Sequence, residues 1–222
     1  MDRQLVLKSG KSFLLACCIM LAASDAFGQT KFYVLGGMSD VYYHNTANSG
    51  LPTIRKFYYG LEVDRYLDYH YALTTGVFYL QGGYDNGASR WYNKFVQVPV
   101  GIKMASLGDQ FGISAGLNFN YLLSSHLTEL ADTLNNYNSV DVTRAMKKIQ
   151  PEFYFGLLFR LNRVTAQFKM AFALTNRYST DVKTITDPVQ TYYGSFYVYD
   201  LGKQEKKLTA WTTFLTLSVR LF

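Results

Sequence analysis

The chain has 222 residues and a formal net charge of +6, from 22 Lys and Arg against 16 Asp and Glu. Because the excess is mild and no basic run is longer than two residues, the sequence argues against nucleic-acid binding. Charged residues make up 17% of the chain, against about 25% in an ordinary soluble domain, which indicates that part of the surface does not face water.

Residues 1–28 have the three-part layout of a secretory signal peptide. Three basic residues precede an apolar stretch at 13–23, and a small-residue pattern ends at Gly28. The stretch is too short for a membrane-spanning helix, which takes about 20 apolar residues. We therefore predict a cleavable signal peptide at 1–28 and an outer-membrane β-barrel at 29–222.

Both cysteines, Cys17 and Cys18, lie in the predicted signal peptide. The segment that ends at Cys17 loosely resembles a lipobox, but only about four apolar residues would precede that cysteine and the apolar run continues past it. Cleavage after Gly28 is the favoured prediction, and it leaves a mature protein without disulfides.

No mature segment reaches 18 consecutive apolar residues, which excludes membrane helices. What recurs instead is alternation of apolar and polar residues, the pattern of a strand with two different faces. The clearest case is 164–174, whose roughly 11 residues match the length of a tilted strand that crosses a bilayer. Similar segments are 57–67, 95–106, 111–123, 149–161 and 211–221, whereas 31–43 and 71–84 have two apolar or small faces and their inward side is left open.

These eight segments predict an all-β fold, an eight-stranded antiparallel up-and-down transmembrane β-barrel that follows the N-terminal signal peptide. Their connections alternate in length, as in outer-membrane barrels with periplasmic turns and extracellular loops. The predicted location is the cell outer membrane of a Gram-negative bacterium. The short connections are 68–70, 107–110 and 162–163, and the long ones are 44–56, 85–93, 124–148 and 176–208.

A soluble, lipocalin-like barrel also has eight alternating strands, with the polarity of the two faces reversed. Segments 71–84 and 111–123 contain no charged residue and would expose wide neutral surface to water, which favours the membrane barrel. Aromatic residues also fall where two girdles at headgroup depth are expected. They are Tyr66, Tyr69 and Tyr71 by the short turns, and Tyr84, Trp91, Tyr92, Tyr121, Tyr178 and Trp211 by the long loops.

The segment from Phe95 to Lys103 resembles a strand motif of the PorT-like outer-membrane β-barrel domain family: aromatic, apolar, Glu or Gln, apolar, Pro, apolar, then Lys. The family often has Glu where this chain has Gln97. The resemblance implies a barrel over roughly 30–222 and, through PorT, an association with protein secretion. Since Pro99 lacks a backbone donor, we also predict a local β-bulge there.

If the polar faces point inward, charged side chains of both signs collect in the lumen. We predict a salt-bridge and amide network that fills it, because an eight-stranded barrel is just wide enough for its own side chains. A solute or proton path remains the alternative, and a general porin is not expected. The predicted lumen network consists of Glu62, Asp64, Lys103, Glu152, Arg160, Lys169 and Arg220.

A lipid-modifying barrel enzyme is a second functional class. Ser124, Ser125, His126 and Glu129 could supply a nucleophile, a base and an orienting group, but no fixed-spacing motif supports them. The chain has three histidines with no short ligand spacing between them. We therefore predict no enzymatic activity, no metal and no cofactor.

The third class is an interaction protein. Loop 176–208 is rich in aromatic residues and includes a strand-like stretch at 191–199, which predicts a hairpin above the membrane. Its candidate partner-binding residues are Tyr192, Tyr193, Phe196, Tyr197 and Tyr199, although they could also pack on each other and on loop 124–148. The predicted partners are outer-membrane lipid, the barrel-assembly machinery, and another outer-membrane or secretion-system protein.

Overall fold

A computed structural model describes residues 30–45, 54–85, 89–105, 110–130, 137–143, 146–175, 189–191, 194–196 and 208–221. The predicted signal peptide lies outside these residues. The described elements are all strands of one antiparallel fold. They are β1 (Thr30–Asn45), β2 (Lys56–Tyr66), β3 (Tyr71–Asp85), β4 (Ser89–Ala105), β5 (Phe111–Leu130), β6 (Tyr137–Asp141), β7 (Ile149–Leu161), β8 (Val164–Ala173), β9 (Val189–Thr191), β10 (Gly194–Phe196) and β11 (Leu208–Arg220).

Eight of these strands close into a barrel in the order β4, β3, β2, β1, β11, β8, β7, β5, and β5 pairs back with β4. Each strand pairs antiparallel with its neighbours. β6 joins only the outer part of β5, while β9 and β10 form a separate two-stranded sheet. The prediction of an eight-stranded antiparallel barrel is confirmed.

The pairing register fixes the tilt of the strands. Followed strand by strand around the barrel, the partners of Phe32 lead back to β1 at Tyr42, ten residues further along. With about 3.3 Å per residue and about 4.8 Å between strands, that stagger tilts the strands by about 40°. The tilt leaves a lumen narrow enough for side chains to fill.

Tight turns at one end close two of the three short connections. Asp68 Oδ1 accepts the backbone N–H groups of His70 and Tyr71, both at 2.7 Å, and so closes the turn between β2 and β3. Asn162 begins the turn between β7 and β8 with a φ of 55°, a left-handed conformation that Asn tolerates. This is the periplasmic end in outer-membrane barrels, and the first strand begins and the last strand ends here.

The two faces of the strands differ in the way that a membrane requires. Outward-facing apolar side chains lie exposed on every barrel strand, with Leu61 58%, Leu157 60% and Leu217 61% exposed. The side chains between them point into the lumen and are buried. We call the outward set the apolar belt; it includes Val34, Leu61, Leu73, Val100, Leu117, Leu157, Phe168 and Leu217.

The inward sides of β1 and β3, which the sequence left open, are now assigned. β1 turns Tyr33, Leu35 and Val41 into the lumen, and β3 turns Phe78 and Leu80 inward. Apolar residues thus occupy both faces of these strands. One set faces the lipid as part of the apolar belt, and the other lies inside the barrel.

The strands extend further at the extracellular end than we predicted. β4 begins at Ser89 and β5 continues to Leu130, so most of the predicted loop 85–93 is strand, and loop 124–148 contains strand at both 124–130 and 137–141. On β5 the prediction was wrong because a register shift between Lys94 and Phe95 leaves Leu123 as an extra residue and reverses the alternation beyond it.

The prediction of a β-bulge at Pro99 was also wrong, because the bulge lies elsewhere on β4 and β5. The β3–β4 pairing breaks between Thr75 and Phe78, opposite Pro99, with no change of register, and Thr75 Oγ1 donates to the Pro99 carbonyl at 2.9 Å. The missing proline donor is therefore accommodated by an interrupted ladder, while the bulge lies at Lys94 and Phe95 on the β5 side.

Among the described residues, no helix is long and apolar enough to cross a membrane.

Candidate functional site

The middle of the lumen holds four buried charges that we call the lumen charge cluster: Glu62 and Asp64 on β2, Lys103 on β4 and Lys169 on β8. None of these residues is more than 5% exposed. Each occupies an inward position because it alternates with belt residues on its strand. The two acids and two bases balance, so the cluster has no net charge.

Lys103 is the centre of this cluster. Its Nζ lies 2.5 Å from Glu62 Oε1 and 2.9 Å from Asp64 Oδ2, while Lys169 Nζ lies 3.5 Å from Glu62 Oε2. Neither lysine is on a strand that adjoins β2, so the ion pairs cross the lumen rather than run along the wall. Buried charges are tolerated only when they are paired in this way.

The structure does not place the other three predicted network residues in this cluster. Glu152 is fully buried on β7, where its Cα partners are Asn118 and Ala173. Arg160 is near the periplasmic end and donates from Nη2 to the Tyr66 hydroxyl at 2.8 Å. Arg220, also near that end, pairs with Tyr33 of β1 and is partly exposed.

A neutral hydrogen-bond chain, whose residues were not among those named for the predicted network, lies nearer the extracellular end. The Tyr58 hydroxyl donates to Gln97 Oε1 at 2.9 Å, and Gln97 Nε2 donates to Asn120 Oδ1 at 2.7 Å. Its sequence signal was present, since Tyr58 shares the phase of Glu62 and Gln97 shares the phase of Lys103. Gln97, where the PorT-like motif often has Glu, is thus a neutral partner inside the lumen.

The extracellular half of the lumen is filled by apolar side chains, which we call the apolar plug. The rings of Phe78 and Phe214 lie 5.0 Å and 4.8 Å from the Tyr58 ring. Deeper in, the Tyr154 ring occupies space beside Gly101 and Gly116, where any Cβ would collide with it. The plug consists of Leu35, Val41, Tyr58, Phe78, Leu80, Trp91, Phe95, Leu122, Val142, Met146 and Phe214.

Two members of the plug come from the connection between β6 and β7 rather than from the wall. Val142 and Met146 are 4% and 3% exposed and pack in the mouth of the barrel. This connection is held to β5 because Val142 N–H donates to the Ser125 carbonyl at 2.9 Å, and Ser125 N–H donates to Thr143 Oγ1 at 2.8 Å. A segment of the chain therefore packs into the extracellular end of the lumen.

We expect the purified protein to show no steady conductance in planar bilayers, because the plug and the charge cluster occupy successive levels of the lumen. The measurement is single-channel recording, with a sixteen-stranded porin in the same bilayer as the positive control. A reproducible porin-sized conductance from the folded protein would mean that the plug does not seal the barrel.

The residues considered for catalysis are divided between two faces of β5. Ser125 is buried, and its Oγ accepts the Trp91 Nε1–H at 2.7 Å, whereas the adjacent His126 points the other way. Ser125 and His126 therefore face opposite sides, whereas Ser124, two positions from His126, shares the side of that histidine. The absence of enzymatic activity stays a prediction.

The aromatic residues divide between the girdles and the interior. Tyr69, Tyr71 and Tyr121 are exposed at 64%, 40% and 48%, and the Trp211 ring stacks on Tyr42 with centroids 4.1 Å apart. Two predictions were wrong: Trp91 is buried in the apolar plug, and Tyr66 points inward and accepts from Arg160. Both share the phase of inward residues, and the lumen offers each a polar partner.

The predicted partner-binding hairpin is only partly described. β9 and β10 pair with one another inside the predicted loop 176–208. Tyr192, Tyr193, Tyr197 and Tyr199 lie outside the described residues, as does Tyr178, and only the backbone of Phe196 is described. The pairing agrees with a hairpin in this loop, but its two strands are 189–191 and 194–196 rather than one strand over 191–199. The role of the aromatic residues stays a prediction.

The wall itself rises beyond the membrane on one side. β4 and β5 remain paired as far as Ser89 and Glu129, which adds roughly 15 Å of strand beyond Lys94, and β6 extends this sheet alongside β5. The barrel thus presents a three-stranded projection on its extracellular side.

Comparison with known proteins identifies the fold through similar structures and finds no similar sequence. No protein family matches the sequence, and no curated protein sequence matches it. Ail, the attachment invasion locus protein of Yersinia pestis, superposes with a TM-score of 0.50 at 10% identity over 88% of this chain and 99% of that chain. Neisserial surface protein A superposes with a TM-score of 0.51 at 7% identity over 86% and 98%.

The fold is that of the small eight-stranded outer-membrane β-barrels. The apolar belt around a closed barrel with a polar cluster inside is the arrangement that such a membrane requires. The chain is an outer-membrane β-barrel protein.

Proposed function

We propose that this barrel is a non-enzymatic, non-conducting outer-membrane protein that acts through its extracellular surface by binding a partner. The observation that carries this proposal is a lumen filled by side chains below strands that continue outward. Val142 and Met146 pack into the mouth, while β4, β5 and β6 continue beyond it. A barrel whose interior is filled and whose strands are paired outside the membrane is suited to recognition.

The aromatic loop supplies the proposed contact residues. Tyrosine gives a large contact area at low cost in conformational entropy, and it is enriched at binding hot spots. We expect Tyr192, Tyr193, Phe196, Tyr197 and Tyr199 to contact another outer-membrane protein, a secretion-system protein or a glycan.

A photo-reactive phenylalanine analogue at position 197 tests this proposal in intact cells. We expect a discrete adduct of higher mass from position 197 and none from the same analogue at Tyr154, because Tyr154 lies inside the lumen. Changing Tyr192, Tyr193 and Tyr199 to Ser in the probe-bearing chain should abolish the adduct. Absence of any adduct from position 197, or an adduct that survives these changes, would contradict the proposal.

A role in protein secretion is the second candidate, and it is supported by the PorT-like motif from Phe95 to Lys103. Three of its residues have structural roles inside the barrel: Phe95 in the apolar plug, Gln97 in the hydrogen-bond chain and Lys103 in the charge cluster. A motif whose residues hold the lumen together is compatible with several functions. The mass and identity of the cross-linked partner would distinguish a secretion component from other surface proteins.

Catalysis on lipid is the least favoured class. Ser125, one of the two candidate nucleophiles, is buried and bonded to Trp91, so it faces the interior, away from any lipid substrate. Ser124 and His126 share the outer face of β5, but no fixed-spacing motif supports them as a catalytic pair. The proposal is of a binding protein without enzymatic activity.

A further inference from the structure

The periplasmic mouth of the lumen is lined by basic side chains from β1, β7 and β11. Each is in register with a residue of a neighbouring strand that faces the lumen and is no more than 3% exposed. Residues directly opposite each other on neighbouring strands share a face, so the basic side chains also face the lumen. The pairs are Lys31 with Asp64, Arg160 with Thr165 and Arg220 with Tyr33.

Two of these cations meet at one aromatic ring. Lys31 Nζ lies 4.0 Å from the centroid of the Tyr66 ring, and Arg160 Nη2 donates to the Tyr66 hydroxyl at 2.8 Å. Because β7 does not adjoin β2, Arg160 reaches Tyr66 across the mouth rather than along the wall. The three cations, which we call the periplasmic cation group, therefore lie around one opening.

Two members of the periplasmic cation group have no acidic partner within the described part of the chain. Lys31 and Arg220 take part in none of its ion pairs. Asp64, the acid in register with Lys31, accepts from Lys103 with both carboxylate oxygens at 2.9 Å. Asp68 is bonded to two backbone N–H groups of its own turn. The positive charge of Lys31 and Arg220 is thus left for a ligand.

The wall that faces the periplasmic cation group has small residues at the same end of the barrel: Ala72 on β3, Ala105 on β4 and Gly112 on β5. Ala72 is in register with both Tyr66 and Lys103, and Ala105 is in register with Gly112. These residues take up little of the mouth. Because the lumen charge cluster lies deeper in the barrel, a ligand reaches the cations from the periplasmic side.

The spacing of the two unpaired cations fits carboxylates on an extended peptide. Arg220 is in register with Tyr33, so Lys31 is its diagonal neighbour on β1, with side chains roughly 7–8 Å apart. Alternate residues of an extended peptide are about 7 Å apart, and clusters of basic residues recognise acidic motifs. Phospholipid headgroups surround the outside of a barrel, whereas these side chains face its lumen, which favours a peptide over lipid.

We propose that the periplasmic mouth binds an acidic peptide segment of a partner protein, in which carboxylates on alternate residues contact Lys31 and Arg220. A mouth lined by charge of one sign attracts and orients such a segment. The site is at the opposite end of the barrel from the aromatic loop. It does not depend on the partner proposed for that loop, and either contact can exist without the other.

Fluorescence anisotropy of a labelled peptide, titrated with the folded protein in a neutral detergent, tests the site. The probe is a six-residue peptide that alternates Glu and Thr, and the control peptide has Gln in place of Glu. We expect saturable binding of the acidic peptide and binding at least about tenfold weaker for the control peptide. Equal binding of the two peptides, or displacement of the acidic peptide by an equal concentration of inorganic phosphate or of phosphatidylglycerol in the micelles, would overturn the proposal.

Charge-removing variants give the matched control. The double change Lys31→Gln and Arg220→Gln should weaken binding of the acidic peptide at least about tenfold. The double change Lys94→Gln and Lys148→Gln removes the same charge at the extracellular end and should leave binding unchanged. Slower migration after boiling shows that each variant is folded before the titration. Equal affinity of the wild type and the first double variant, or an equal loss in both double variants, would contradict the proposed site.

Discussion

Replacing Lys103 with Met should lower the free energy of unfolding by about 3–5 kcal/mol, the largest effect that we expect from one lumen substitution. Methionine keeps most of the length of the side chain but removes the charge that contacts both Glu62 and Asp64. Among the described residues, those two carboxylates would then keep Lys169 as their cation, 3.5 Å from Glu62. Urea unfolding from lipid vesicles, followed by tryptophan fluorescence, measures the loss.

Two further variants separate charge from packing at this cluster. Lys169→Met should cost much less than Lys103→Met, because Lys169 has one longer contact and Lys103 has two shorter ones. Removing all four charges together, with Met for both lysines, Gln for Glu62 and Asn for Asp64, should recover most of the stability. If the neutral quadruple variant is as unstable as Lys103→Met, loss of packing rather than unpaired charge causes the effect.

The alternation of residues predicted the barrel and the inward set of charges, because both depend on the two-residue period of a strand. Segments 111–123, 149–161 and 164–174 have one apolar and one polar or small face, and their orientation could be read directly. The structure brings Glu62, Asp64, Lys103 and Lys169 together across the lumen, which the phase of each strand allows but does not determine. The register between strands decides which charges meet.

The apolar plug could not be predicted in the same way. On β3, Phe78 points into the lumen and Val77 points to lipid, and hydrophobicity alone does not tell these two environments apart. Val142 and Met146 come from a connection with no periodic pattern, so nothing in the sequence marked them as interior residues.

The bulge had a similar effect on the predicted loops. One extra residue, Leu123, shifts the phase of β5, so Leu122 and Ser125 both face inward although they are three positions apart. A pattern that expects strict alternation ends the strand at this point. Trp91 was predicted to lie in the girdle, but aromatic residues occur both in the girdle and in the plug near the mouth. Residue type alone therefore does not distinguish these two places.

The assignment of inward and outward faces is the claim on which the account depends, and strand β8 tests it within four residues. Met170 faces outward beside Phe155 and Thr213, near the middle of the apolar belt. A basic group there should cost about 2–4 kcal/mol in a membrane barrel. Gln167 is 2% exposed and faces the lumen, and neither of its amide atoms has a hydrogen-bond partner among the described residues, so its replacement breaks no bond.

The most direct measurement is therefore the free energy of unfolding in lipid vesicles for Met170→Lys and for Gln167→Lys, which place the same new residue on opposite faces of one strand. We predict a loss of about 2–4 kcal/mol for Met170→Lys and a clearly smaller loss for Gln167→Lys. Equal losses, or a larger loss for Gln167→Lys, would mean that the polar face is turned to the surroundings and would contradict the membrane barrel.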